Sequence, residues 1–246
     1  VEKKRTAFLI ILTALTFTWI SFTAIAEAKN MEKAQPLDAR QQAIVPIAAF
    51  TANGDLAKLK PALVEGLEAG LTVNEIKEIL VQIYAYAGFP RSLNGIHAFM
   101  ALLEERQARG IEDEAGKDAG PLPEDFNRDA YGAKIRAKLA GQKEIPPPGG
   151  YQIFTPVIDT YLKEHLFADI FVRDVLTHQE RELVTIAALA AMSGTEGQLR
   201  FHLGAATNTG WTEAQLKDFI CVLDKKVGKD AAERAREVLN GMLDSK

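Results

Sequence analysis

Four histidines and a single cysteine are the residues of this chain whose chemistry is easiest to place. His202 lies in "GQLRFHLGAATNTGWT" (197–212), where Leu199, His202, Leu203 and Ala206 share one helical face, so the imidazole points inward. An imidazole titrates near neutral pH and suits general acid–base work. A histidine on an apolar face can equally be a core residue with one hydrogen-bond partner. His165, in "LKEHLF", admits an orienting role or plain packing. His97, in "NGIHAFM", sits at the edge of an apolar stripe, and His178, directly after a helix N-cap, is expected in solvent.

Arg173 and Arg181 flank the entry to an apolar helix. A guanidinium can hold a carboxylate through two hydrogen bonds; the alternative is a surface pair with Asp174, Glu180 or Glu182. Glu182 could orient a histidine or an arginine, or simply answer the helix dipole. Glu78 is expected on a solvated face. Tyr84 and Tyr86 cannot both face the same way on one helix, and Tyr86 is the candidate pocket hydroxyl, with core packing the alternative. Cys221, in "LKDFICVL", is expected to be a buried thiol. One cysteine leaves no disulfide within the chain, no CxxC redox pair and no Cys-rich metal site.

The elements that must position these groups appear when the chain is laid on itself. "LDARQQAIVPIAAF" (37–50) matches "LTHQERELVTIAAL" (176–189) at an offset of 139. "LKPALVEGLEAGLTVNEIKEIL" (59–80) matches "LRFHLGAATNTGWTEAQLKDFI" (199–220) at an offset of 140. Each copy reads as helices. Asp38 with Gln41, Thr177 with Glu180, Thr72 with Glu75 and Thr212 with Gln215 all have capping-box spacing. Gly70 and Gly210 stand where a helix end needs positive φ. Ile76, Ile79, Leu80, Ile83 and Tyr84 trace a buried helical face, and "ELVTIAALAAM" is apolar nearly all round, as a central helix would be. No convincing period-2 strand is present, so the expected fold is all-α, a tandem duplication of a helical bundle. The first repeat spans 37–105 and the second 157–243. The connection, 106–156, is rich in Pro, Gly and charge around one short helix, "AKIRAKLA", and residues 157–176 are expected to form a helix leading into the second copy.

The chain has 246 residues, 47% of them hydrophobic and 25% charged, with a formal net charge of −4. That is ordinary globular composition with room for a sizeable core. It lacks the basic face of a nucleic-acid partner, and without strands or a Gly-rich phosphate loop a nucleotide site is not expected. Residues 1–28 differ: Lys3, Lys4 and Arg5 precede a long uncharged apolar run that ends in Ala24, Ala26 and Ala28. This is the pattern of a secretory signal peptide, giving a periplasmic or secreted product. An uncleaved inner-membrane anchor is the alternative, and only in that case is a membrane a partner.

"RELVTIAALAAMSGTEGQLRFHLGAATNTGWTEAQL" resembles the front half of a carboxymuconolactone decarboxylase domain. "LTVNEIKEILVQIYAYAGFPRSLNGI" resembles its back half, with a Tyr-x-Gly-x-Pro element at Tyr86, Gly88 and Pro90. "YLKEHLFADIFVRDVLTHQERELVTIA" is similar to the approach segment of the decarboxylase branch. The wider superfamily includes alkylhydroperoxidase D-like proteins, which use a CxxC pair; here Thr195 and Gln198 stand at those positions, so thiol chemistry has no thiolate. Copy one has Ala62 where His202 falls, and copy two lacks the Tyr-Gly-Pro element. One composite site per chain is therefore expected, with the second half supplied by the same chain or a neighbour.

The resemblance implies a cofactor-free decarboxylase of a small carboxylated lactone or oxoacid, assembled as a homo-oligomer. In that chemistry His202 would donate the proton, Tyr86 would serve the oxyanion, and Arg181 or Arg173 would clamp the carboxylate. His165, Glu182, Phe89 and Pro90 complete the candidate substrate contacts. A non-catalytic binding protein for a small acid is the second reading, and a thiol-independent redox protein the third.

Overall fold

The computed structural model describes residues 36–245, all helices and connections, with no strand among the described residues. The leader assigned to 1–28 lies outside them. The first repeat is four helices: α1 (Ala39–Asn53), α2 (Leu56–Glu68), α3 (Val73–Ala87) and α4 (Phe89–Ala108). The connection carries α5 (Arg128–Leu139), α6 (Tyr151–Phe154) and α7 (Pro156–Thr160), which runs on as a π-helical segment, Tyr161–Ile170. The second repeat returns the same order: α8 (His178–Ala190), α9 (Glu196–Thr209), α10 (Glu213–Val222), extended by a π-turn over Leu223–Val227, and α11 (Lys229–Leu243).

Capping fixes where the helices begin. Asp38, Thr72, Thr177 and Thr212 each accept from the backbone N–H three residues on, with the reciprocal side-chain bond in place, at the heads of α1, α3, α8 and α10. Apolarity then fixes what packs centrally. Ala43–Ala52 of α1 and Arg181–Ala190 of α8 are buried without interruption. The two helices pack on each other, joining the repeats through one core that also takes Leu59, Leu63, Ile79, Leu80, Leu199 and Phe219.

The connection is less of a loop than its composition suggests. Glu114 and Ala115 accept from the backbone N–H groups of Val73 and Asn74 at the head of α3, and α5 packs along the π-helical segment. Gly132 permits that approach: a Cβ placed there would lie 1.9 Å from the Lys163 backbone oxygen. Because backbone cannot yield as a side chain does, Gly132→Ala is expected to cost about 1–3 kcal/mol, read as a lower urea midpoint at unchanged slope.

The helix expected over 157–176 ends at Ile170 and turns over 171–176. The break lets the Arg173 carbonyl accept from Arg181 Nη2 (2.7 Å) while its side chain reaches α3. Periodicity does not register a bond made back across that turn.

Cys221, expected buried, is exposed, because Leu216, Phe219 and Ile220 define the buried face of α10 and residue 221 falls beside it. His178, expected in solvent, is half-buried: its Nε2 donates to the Phe171 carbonyl (3.1 Å) and its ring packs on the Phe171 ring. Burial holds its pKa below the ordinary 6.5. As pH falls, the unfolded chain therefore takes up this proton first, and stability drops below pH 6.5. Thermal unfolding between pH 7.5 and 5.5, each value about one unit from that point, should show this fall, and His178→Gln should flatten it.

Candidate active site

Helices α3, α8 and α9 build the site. On α3, Glu78, Gln82 and Tyr86 recur every fourth residue and so form one row. On α8, Arg181, Glu182 and Thr185 face that row; α9 adds His202. Gln82 ties the two helices together: its Nε2 donates to the Arg181 carbonyl (2.8 Å) and to Thr185 Oγ1 (2.9 Å), and its Oε1 accepts from Arg181 Nη1 (2.9 Å).

At the outer end of the row, Glu78 holds two arginines. Arg173 Nε and Nη2 donate to its carboxylate at 2.5–3.1 Å, and Arg181 Nη2 donates to Oε2 at 3.0 Å. Burial alone would push the Glu78 carboxyl up, but the two guanidiniums outweigh it and hold its pKa below the ordinary carboxylate value. Burial lowers the pKa of Arg181, whereas its bonds to Glu78 raise that of the more exposed Arg173. Glu78 is thus not on a solvated face; it is 4% exposed. Nor does Arg181 make a surface pair with Asp174, Glu180 or Glu182: it is fully buried and bound to Glu78. Both Nη groups of Arg181 are engaged by protein, leaving Nε as its unpartnered nitrogen.

At the inner end, His202 is 5% exposed and its Nδ1 bonds Glu182 Oε2 at 2.7 Å. The Tyr86 ring stands edge-on to the imidazole, with centroids 5.5 Å apart, and Phe201 does the same from another side at 5.0 Å. The Tyr86 hydroxyl and Glu182 Oε1 are both buried without a hydrogen-bond partner. Burial, followed by the nearby Glu182 charge, drives the Tyr86 pKa far upward against a smaller opposing pull from Thr185, whose hydroxyl is already bonded to Gln82 and the Arg181 carbonyl. The Tyr86 hydroxyl therefore stays a neutral donor. The result is an oriented imidazole beside an unused donor, a set able to move a proton and to receive a developing oxyanion.

His202 of the second repeat and Tyr86 of the first thus meet within one chain. The other sequence candidates lie elsewhere. Phe89 is 63% exposed and stacks on Tyr84, and Pro90 is exposed at the head of α4. His165 bonds Asp169 next to Tyr84, and His97 is exposed on α4. Sequence reading missed Gln82 and Thr185, although the four-residue spacing from Glu78 through Gln82 to Tyr86 was there to be read. Among the described residues, no group of three or more His, Cys, Asp or Glu side chains is arranged to hold a metal ion.

Fold and site together define an all-α, internally duplicated protein in which a Glu182–His202 pair of the second repeat meets Tyr86 of the first. The Carboxymuconolactone decarboxylase family matches residues 21–101 and 156–241, and the chain belongs to it. It is also similar to a 4-carboxymuconolactone decarboxylase of Acinetobacter baylyi (strain ATCC 33305 / BD413 / ADP1), 30% identical over 112 residues, which cover 45% of this chain and 83% of that protein.

Proposed function

We propose that the chain is a cofactor-free decarboxylase of a small carboxylated lactone or related oxoacid. The observation that carries this reading is the His202–Glu182 pair beside the unpartnered Tyr86 hydroxyl. In the reaction the bond from carbon to carboxylate breaks, CO2 leaves, and the electron pair enters a dienolate whose charge rests on the ring carbonyl oxygen. Tyr86 donates to that oxygen. His202 delivers a proton from Nε2 to carbon and regains one from solvent, while Glu182 fixes the ring through Nδ1. Arg173 and Arg181, both committed to Glu78, serve as framework that holds α3 to α8 rather than as a carboxylate clamp. The basic and apolar leader supports an exported location, and a homo-oligomer is what the sequence resemblance implies.

A second reading, a small-acid binding protein without turnover, is favoured by the closure of the pair, since His202 is only 5% exposed. Release of 13C-labelled CO2 from a panel of carboxylated lactones and oxoacids separates the two. Turnover supports the decarboxylase; saturable binding with no CO2 release supports the second reading.

A further inference from the structure

The last turn of α3 carries two tyrosines that serve two different histidines. Tyr84 and Tyr86 are two residues, hence about 200°, apart around the helix. Tyr86 meets His202, and Tyr84 meets His165 with ring centroids 5.4 Å apart. Each histidine has a carboxylate on Nδ1: Glu182 at 2.7 Å for His202, and Asp169 at 2.9 Å for His165. The first pair is closed in the core. The second stands on an open groove of about 330 Å³, lined chiefly by Tyr84, Phe89, Ile158, Tyr161, Leu162 and His165. That volume lies at the lower end of those of small-molecule sites.

We infer that this groove is a second ligand site, which takes a single flat aromatic ring bearing a hydroxyl group. The inference goes beyond the decarboxylase reading and does not depend on it. Tyr84 and Phe89 are stacked, with centroids 4.4 Å apart and planes at 22°, and so offer the face of an aromatic pair to a further ring. Phe89 and Tyr161 are 63% and 62% exposed, a clustering of bare aromatic surface that marks binding sites. Asp169 accepts from Arg128 Nε at 2.6 Å, which fixes the carboxylate in place. An Nδ1–H donated to that carboxylate leaves Nε2 of the neutral imidazole as an acceptor. A ligand hydroxyl donates to that nitrogen. A ligand carboxylate would instead bring a second negative charge close to Asp169.

The test is a 19F NMR titration of the whole protein with 4-fluorophenol, run beside 4-fluoroanisole, which keeps the ring and lacks the O–H. Saturable binding of the phenol is expected, about tenfold weaker for the ether. His165→Phe, at a half-exposed position that tolerates the ring, should remove the phenol's advantage; Tyr84→Ala should weaken both ligands. His202→Asn should leave phenol binding unchanged, which separates this site from the decarboxylase reading. Equal binding of phenol and ether, no saturable shift, or loss of binding in His202→Asn would each overturn the inference. So would sedimentation showing the groove closed by a second copy of the chain that the phenol does not displace.

Discussion

Replacing His202 by asparagine is expected to lower CO2 release by about 10²–10⁴-fold while leaving the fold in place. The asparagine amide can still donate to Glu182 Oε2, so the buried carboxylate keeps a partner; what disappears is a group able to carry and deliver a proton. His202→Ala removes both, and should lower activity and thermal stability together, because a carboxylate with 0% exposure would lose its one hydrogen bond. The comparison isolates chemistry from packing. Equal turnover by wild type and His202→Asn, measured as labelled CO2, would sink the assignment of His202 as the acid.

Glu78→Ala is expected to be the most damaging substitution for stability, at about 3–5 kcal/mol. It strands the guanidinium of Arg181, which has 0% exposure, without a counter-charge. Arg173→Ala should cost far less, about 1 kcal/mol at most, since Arg173 is 43% exposed and Glu78 would keep Arg181. Replacing the pair together, as Glu78→Leu with Arg181→Met, should recover much of the loss, because apolar side chains of similar size remove the stranded charge. Denaturant unfolding of the three variants beside the wild type decides this. The pH dependence has a definite sign. The folded chain holds the Glu78 carboxyl below its ordinary 4.5, so its contribution is complete above pH 4.5 and is lost as pH falls through the folded value.

Much of the fold was legible in the sequence because it is written in local rules. Asp38, Thr72, Thr177 and Thr212 announce helix starts through spacing alone, and the apolar run of α8 announces a central helix. The duplication was legible because its two copies align with one inserted residue. Half of the inner site was also legible: the loss of His202's counterpart in copy one, and of Tyr86's in copy two, implied that the two belong together. What remained hidden were pairings across long separations. Glu78 read as a solvated carboxylate because its partners, Arg173 and Arg181, lie 95 and 103 residues further on. The tyrosines read as alternatives, although each has its own histidine, because the approach of His165 depends on a π-helical segment whose wider turn periodicity does not encode.

The composite site has a consequence for how such a protein can exist at all. A chain holding only one of these repeats would own either the imidazole or the phenol, and would meet its complement by collision with another molecule at whatever concentration the compartment allowed. Fusing the halves makes that encounter intramolecular, at a local concentration set by the connecting chain rather than by expression level. Dilution then cannot dismantle the site, and each half is released from the need to keep a full set of reactive groups. Ala62 and Lys226 stand where the counterparts of His202 and Tyr86 would fall in the other repeat.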